Sequence, residues 1–203
     1  MKNKYIVAIT GASGSIYGIK LVEQLLEQNY EVHLIISPNG KIVLKQEIDV
    51  DQDIVDDNLV IWLNHKFNSD NLSIHKIDDW FTSAASGSNR FDGMVVCPCS
   101  MATLSNIANG NSNNLISRAA DVMLKEQRKL ALVPRETPVS AIHLENMLKL
   151  ARLNVAIIPA SPSFYTKPSR ISDLVDFMVS RILDNLGINN KLVPRWGKES
   201  KSF

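Results

Sequence analysis

The sequence predicts an α/β fold in which a mainly parallel sheet lies between two layers of helices, the flavodoxin-like or Rossmann-like three-layer sandwich. Short apolar runs rich in Val and Ile recur at residues 5–9, 32–36, 93–96, 130–133 and 155–158. Patterns with helical periodicity lie between most of them. Alternation of strands and helices is typical of a parallel sheet that is covered on both faces.

The elements follow one another along the chain without a linker or an internal repeat. Apolar or charged residues at spacings of three and four predict helices at residues 16–28, from residue 100 onward, 113–129, 141–153 and 171–186. The polar stretch 49–79 predicts a solvated helix or loop, and residues 187–203, which include Trp196, predict an irregular tail. We therefore expect residues 1–203 to form a single domain.

Composition narrows the class of protein. A hydrophobic content of 45% supports a packed core, and a net charge of +1 gives no general reason to expect nucleic acid or an anionic membrane surface as a partner. No apolar run approaches the ~20 residues of a membrane span. Cys97 and Cys99 flank a proline and cannot easily form a disulfide. These features predict a cytoplasmic protein without a membrane span.

The first strand runs into a glycine-rich turn, "TGASGSIYG". Glycines at such a junction let backbone N–H groups approach an anion at the helix N-terminus. The spacing through Gly11, Gly14 and Gly18 differs from the dinucleotide pattern G-x-G-x-x-G, and the second strand ends in Ser37 instead of an acidic ribose ligand. The turn therefore favours a mononucleotide or a flavin over NAD, although such a turn can also bind nothing.

The other strand ends are also polar, and ligands of open parallel sheets bind beyond the carboxyl ends of the strands. In "CPCSMATL", Ser100 and Thr103 fall in the first turn of a helix, where they can hold a phosphate or cap the helix. Arg135 and Glu136 in "RETP" offer phosphate recognition and proton transfer, or a local ion pair. Tyr165 follows the fifth strand.

The helix predicted over 113–129 carries a row of charges on one face: Arg118, Asp121, Lys125 and Arg128. This is either a solvated face or a binding surface. Arg118 and Lys125 are seven residues apart, about 10 Å along a helix, which fits two anionic groups.

Metal binding has little support in the sequence. The two cysteines have no matching Cys or His cluster and are better explained as small buried thiols. The four histidines show no common spacing, and none of the five predicted strands ends in one. We interpret them as structural or surface residues.

Four segments, "TGASGSIYG", "CPCSMATL", "NLISRAADVMLKEQRKLALVPRETP" and "PASPSFYTKP", resemble the flavin prenyltransferases of the UbiX type, formerly described as aromatic acid decarboxylases. The resemblance spans nearly the whole chain. It implies a flavodoxin-like flavoprotein, usually a dodecamer with active sites at subunit junctions. It also implies transfer of a dimethylallyl group from dimethylallyl phosphate to reduced FMN, without a metal. The product, prenylated FMN, is the cofactor of UbiD-type decarboxylases.

The resemblance also implies which residues do this. The predicted FMN site contains Gly11, Ala12, Ser13, Ser37, Ser100, Met101, Ala102, Thr103, Arg118 and Arg135. The predicted site for the phosphate of the prenyl donor contains Lys125, Arg135, Tyr165 and Arg181. Catalytic roles fall to Glu136, Ser13, Glu47 and Trp80. Many relatives carry a lysine or another polar residue at the position of Ala102, so a minor flavin contact is absent here.

The chemistry accounts for these residue types. Breaking an allylic C–O bond leaves a carbocation and a phosphate, and fixed positive charge stabilises the phosphate. The face of Trp80 would attract the cation by about 0.5–2 kcal/mol. Glu136 or the released phosphate would accept the proton that leaves the flavin.

Two alternatives stay open at this point. One is a flavoprotein that decarboxylates cysteine-containing substrates, which depends on a histidine. The other is a non-catalytic, flavin-carrying subunit of a decarboxylase, which would not need Lys125, Arg135 and Arg181.

Overall fold

The strands form one parallel sheet whose order reverses between the first and the fourth strand. A computed structural model describes residues 2–48 and 56–195, and the order within them is β3-β2-β1-β4-β5-β6. The strands are β1 (Lys4–Ile9), β2 (Glu31–Ile36), β3 (Leu72–His75), β4 (Gly93–Cys99), β5 (Lys129–Pro134) and β6 (Ala156–Ile157). All neighbouring pairs are parallel.

Helices cover both faces of the sheet, which confirms the predicted three-layer sandwich. They are α1 (Ser15–Glu27), α2 (Pro38–Glu47), α3 (Asp56–Phe67), α4 (Met101–Ala108), α5 (Leu115–Lys125), α6 (Ala141–Ala151) and α7 (Ile171–Leu186). Buried side chains of α1, α2, α3 and α7 form a core with one face, and those of α4, α5 and α6 form a core with the other. None of the described helices is long and apolar enough to cross a bilayer.

The point where the strand order reverses positions the site. At such a point the connections from two neighbouring strands leave in opposite directions, and a crevice opens beyond their carboxyl ends. Here that crevice lies between β1 and β4. Gly18 allows α1 to pack closely against this point, because a Cβ at residue 18 would collide with the carbonyl oxygen of Cys97 and with the side chain of Ile9.

Residues 49–79 contain more regular structure than the sequence predicts. They include α3 and the edge strand β3, which pairs with β2 from Val32↔Leu72 to Ile35↔His75. The four residues of β3 are all half-buried and lack the apolar run that identified the other strands. Residues 49–55 of this stretch lie outside the described residues.

Two helical predictions need correction. Helix α2 was not predicted, because it buries only Gly40 and Leu44 and so lacks a strong apolar periodicity. Helix α5 ends at Lys125, so Arg128 does not belong to its charged face. The Arg128 guanidinium instead donates to the carbonyl oxygens of Gly87 and Asn89, at 2.8 and 2.7 Å.

The remaining boundaries lie within a few residues of the predicted ones. Beyond α7, residues 188–195 contain no helix or strand, as predicted for the tail. Residues 196–203 of the predicted tail, including Trp196, lie outside the described residues.

Candidate active site

Most of the predicted site residues lie at the edge where the carboxyl ends of the strands meet. The glycine turn follows β1, Ser37 follows β2, the Ser100–Thr103 turn follows β4, and the Arg135–Glu136 pair follows β5. The loop that carries Tyr165 follows β6, and it is tied to the end of β5 by a 2.9 Å hydrogen bond from the N–H of residue 160 to the carbonyl of residue 134.

The glycine turn and the Ser100–Thr103 turn are joined by Thr10, which sequence reasoning did not single out. The Thr10 hydroxyl donates to the carbonyl oxygen of Pro98 at 2.8 Å and accepts from the N–H of Ser100 at 2.8 Å. The Cys97–Pro98 peptide bond is cis. The two turns thus form the two sides of the crevice between β1 and β4.

Ser37 and Ser100 both act as helix N-caps, which was one of the two roles predicted for such hydroxyls. Ser37 Oγ accepts from the N–H of Gly40 at 3.0 Å, and Ser100 Oγ accepts from the N–H of Thr103 at 3.3 Å. A hydroxyl that accepts one bond keeps its own proton for another acceptor. Capping therefore leaves the Ser37 hydroxyl proton available for a ligand, whereas Ser100 Oγ donates its own proton to Thr103 Oγ1 at 3.1 Å.

The N-terminus of α1 is occupied by the chain's own carboxylate. Glu47, the last residue of α2, accepts from the N–H of Gly14 at 3.0 and 2.9 Å and from the N–H of Ser15 at 2.8 Å. A negative charge is favourable there because of the helix dipole. Among the described residues, the N–H groups of Gly11 and Ser13 have no acceptor, so both remain available to donate to a ligand.

Gly11 is needed for a steric reason. A Cβ at this position would lie 2.5 Å from the Cβ of Asn39 in the first turn of α2. The absence of a side chain lets the ends of β1 and β2 approach each other. The neighbouring Ala12 is buried, whereas Ser13 is exposed at the mouth of the crevice.

Arg135 contributes the clearest sign of a missing partner. Its Nε is buried and has no hydrogen-bond partner among the described residues. Leaving such a donor unpaired costs about 1–3 kcal/mol or more, which a ligand oxygen would recover. Glu136 is exposed, and its carboxylate accepts from the N–H of Thr137 at 3.0 Å. The predicted alternative, a local ion pair between Arg135 and Glu136, is not formed in the described part of the chain.

The four residues predicted to bind the donor phosphate do not meet within one chain. Arg135 and Tyr165 lie at the carboxyl edge, but Lys125 lies at the amino edge, just before β5 begins, with its Nζ 3.7 Å from the carboxylate of Glu126. Arg181 lies in the second half of α7, which ends at the amino edge. It is 60% exposed and lies 3.5 Å from Asp184.

Arg118 and Trp80 lie to the β3 side of the crevice. The Arg118 Nε donates to the carbonyl oxygen of Ala85 at 3.0 Å, and its Nη1 donates to Asp121 at 3.2 Å. Trp80 is 44% exposed in the loop after β3, and the next residue, Phe81, is fully exposed. Aromatic surface is therefore exposed in the loop that follows β3.

The two cysteines and two of the histidines, His33 and His75, lie among packed side chains. Cys97 and Cys99 are buried free thiols, and burial raises the pKa of both. The expectation that no strand ends in a histidine is wrong, because His75 ends the unpredicted strand β3. Its Nε2 lies 2.8 Å from Nδ1 of His33, whose Nε2 lies 3.0 Å from Glu31. No group of three or more potential metal ligands occurs in residues 2–48 and 56–195.

Comparisons with known proteins agree with the fold. Residues 1–183 match the model of the Flavoprotein family. The chain is 49% identical over 198 residues to the flavin prenyltransferase UbiX of Halalkalibacterium halodurans, covering 98% of this chain and 95% of the relative.

Two crystal structures are similar over nearly the whole chain. One is AnUbiX in complex with FMN and dimethylallyl pyrophosphate (TM-score 0.88, 41% identity, 98% of this chain and 100% of that one). The other is a dodecameric FMN-dependent UbiX-like decarboxylase from Escherichia coli O157:H7 (TM-score 0.84, 43% identity, 95% and 98%). The peptidyl-cysteine decarboxylase EpiD shares the fold only, with a TM-score of 0.59 and 20% identity over 92% of this chain and 99% of that one.

Proposed function

Because this chain belongs to the Flavoprotein family and, within it, to the UbiX-type flavin prenyltransferases, we propose that it transfers a dimethylallyl group from dimethylallyl phosphate to reduced FMN. The observation that carries the proposal is the crevice between β1 and β4 in a chain that superposes on AnUbiX, which was crystallised with FMN and dimethylallyl pyrophosphate. The product is prenylated FMN.

FMN lies in the crevice at the reversal of strand order. The free N–H groups of Gly11 and Ser13 bind it from the β1 side, and the Ser100–Thr103 turn, with Met101 and Ala102, binds it from the β4 side. Ser37 at the end of β2 is a short hydroxyl where NAD-binding proteins place an acid, so the adenosine half of a dinucleotide has no ligand here. The reduced flavin supplies the nucleophilic nitrogen, beside which Ser13 lies.

The donor phosphate is bound by cations from more than one copy of the chain. Arg135, with its unpaired buried Nε, and the exposed Tyr165 come from the copy that holds the flavin. Lys125 and Arg181 come from neighbouring copies, since they lie away from the carboxyl edge of their own sheet. A homo-oligomer is therefore required for activity, and the similar E. coli protein is a dodecamer.

The charges that develop during the reaction explain why cations, an aromatic ring and a carboxylate are needed around the substrates. The allylic C–O bond breaks, the phosphate leaves with its bonding electrons, and fixed cations stabilise that charge. The carbocation bonds to the flavin nitrogen, and the exposed Trp80 offers a π-face to it. The flavin nitrogen loses its proton as this first bond forms, and the double bond of the transferred group takes up a proton to give a second carbocation. That carbocation closes a ring on an aromatic carbon of the flavin, which then loses its own proton. Glu136, exposed beside Arg135, accepts that proton.

A downstream partner follows from the product. Prenylated FMN is consumed as a cofactor by UbiD-type decarboxylases, and we propose that such an enzyme receives it. The similarity to flavin prenyltransferases supports this role over a purely flavin-carrying one, which would not need Lys125 and Arg181.

The test is anaerobic mixing of the purified protein with reduced FMN and either dimethylallyl phosphate or dimethylallyl pyrophosphate, followed by mass spectrometry of the flavin. We expect a flavin that carries an added five-carbon unit with the monophosphate. Unmodified flavin with both donors would refute the function, and product from the pyrophosphate alone would refute the assignment of the donor.

A further inference from the structure

We propose that Thr10 is a positioning residue for the flavin site, because its hydroxyl fixes the first turn of α4 against the glycine turn. The inference rests on the proposed FMN crevice. It concerns a side chain that lies behind the ligand and does not touch it.

Thr10 is completely buried and follows directly after β1, at the point where the strand order reverses. Its hydroxyl donates to the carbonyl oxygen of Pro98 at 2.8 Å, and its backbone N–H donates to the same oxygen at 3.2 Å. The hydroxyl also accepts from the N–H of Ser100 at 2.8 Å. Three hydrogen bonds from one residue therefore connect the ends of β1 and β4.

The hydroxyl makes both side-chain bonds through one oxygen atom, which combines a donor with acceptor lone pairs. Without it, the N–H of Ser100 would lose its acceptor in a half-buried position, where an unpaired donor is costly. Nothing else in the described part of the chain accepts from that N–H. The turn that follows would no longer be held in one position.

Further hydrogen bonds connect Ser100, which Thr10 holds in place, to Thr103 in the same turn. Ser100 Oγ accepts from the N–H of Thr103 at 3.3 Å and donates to Thr103 Oγ1 at 3.1 Å. Thr103 Oγ1 accepts this bond and keeps its own proton for a ligand. Thr10 thus fixes the start of a chain of hydrogen bonds that ends in a donor at the crevice.

The test compares Thr10→Val, which keeps the shape and removes the hydroxyl, with Thr10→Ser, which keeps the hydroxyl. Ser180→Ala is the matched control, since Ser180 is a buried serine on α7. FMN affinity is measured by fluorescence titration, and the KM for the prenyl donor is measured at saturating FMN. We expect Thr10→Val to weaken FMN binding by about 10- to 100-fold, as happens when a group that orients a ligand-binding residue is removed from a metal site. The donor KM should stay within a few-fold, and Thr10→Ser and Ser180→Ala should bind FMN nearly as the wild type does.

Wild-type affinity for FMN in Thr10→Val would overturn the inference. A Thr10→Ser variant that binds FMN as weakly as Thr10→Val would also overturn it, because the packing of the Thr10 methyl group would then determine the affinity. A wild-type protein that binds FMN but makes no prenylated flavin would refute the proposed function. The same three variants would still decide the role of Thr10.

Amide hydrogen exchange tests the same bond without any substitution. In the flavin-free protein, the N–H of Ser100 should be protected, whereas those of Met101 and Ala102 in the same turn have no described acceptor and should exchange fast. Equal exchange of all three would show that Thr10 does not hold Ser100.

Discussion

Lys125 and Arg135 are proposed to bind the same donor phosphate from two different copies of the chain, and mixed oligomers test this quantitatively. Lys125 precedes β5, and Arg135 follows it. The six residues of β5 separate the two edges of the sheet by about 17 Å, at roughly 3.3 Å per residue, and most of the strand is buried. The Lys125 Nζ lies near Glu126 at one edge, and the Arg135 Nε is buried at the other. One phosphate that contacts both cations must therefore lie between two copies of the chain.

The perturbation is co-expression of Lys125→Ala with Arg135→Ala in equal amounts. Each variant alone lacks one cation at every site and should form little product. In randomly mixed oligomers, about one quarter of the junctions combine a native Lys125 from one copy with a native Arg135 from another. We therefore expect about one quarter of the wild-type yield of prenylated FMN in an anaerobic single turnover.

Two further mixtures make the result decisive. Lys125→Ala mixed with the double variant contains no native Lys125 and should stay inactive. Wild type mixed with the double variant should give about one quarter of the wild-type yield if the two residues come from different copies, and about one half if they come from the same copy. One half of the wild-type yield in the mixture of wild type with the double variant, together with no activity in the mixture of the two single variants, would refute a site shared between copies.

Four other outcomes follow from the structure. Glu136→Gln should slow product formation by about 10²- to 10⁴-fold while FMN still binds, because a positioned base is lost. An unchanged single-turnover rate would leave the released phosphate as the proton acceptor. Glu47→Gln should lower the free energy of unfolding of the flavin-free protein by about 1 kcal/mol in urea, because a carboxylate is removed from the N-terminus of α1. The exposed Glu145 is the control position, and equal losses at both would contradict this. Burial and then the neighbouring His33 lower the pKa of His75 below 6.5. The folded state therefore binds fewer protons than the unfolded state, so stability should fall as the pH drops below 6.5 toward the folded pKa, and His75→Gln should flatten that dependence in thermal unfolding. FMN should bind more tightly than NAD or FAD in equilibrium titrations, and tighter binding of NAD would contradict the interpretation of Ser37.

Much of the fold could be predicted because buried parallel strands are continuous apolar runs. The runs at β1, β2, β4 and β5 identified these strands. Strand β3 was missed because it is a short, half-buried edge strand, and α2 was missed because little of it is buried.

The candidate site was predicted where it depends on strand ends. Residues that follow parallel strands lie at one edge of the sheet, and Ser37, Ser100 and Arg135 all lie at that edge. Sequence spacing could not show that Lys125 and Arg181 lie toward the opposite edge, because that depends on where α5 and α7 run relative to the sheet. Nor could it identify Thr10, whose partners are about ninety positions away.

The mass of the flavin after an anaerobic single turnover, compared between wild type and Arg135→Ala, tests the proposed prenyl transfer most directly. Arg135 provides a buried Nε that has no partner among the described residues and that we expect to donate to a ligand oxygen. We expect wild-type protein to convert reduced FMN and dimethylallyl phosphate to a flavin with one added five-carbon unit, and Arg135→Ala to do so far more slowly at equal occupancy by FMN. Unmodified flavin from the wild type, or equal conversion by both proteins, would contradict it.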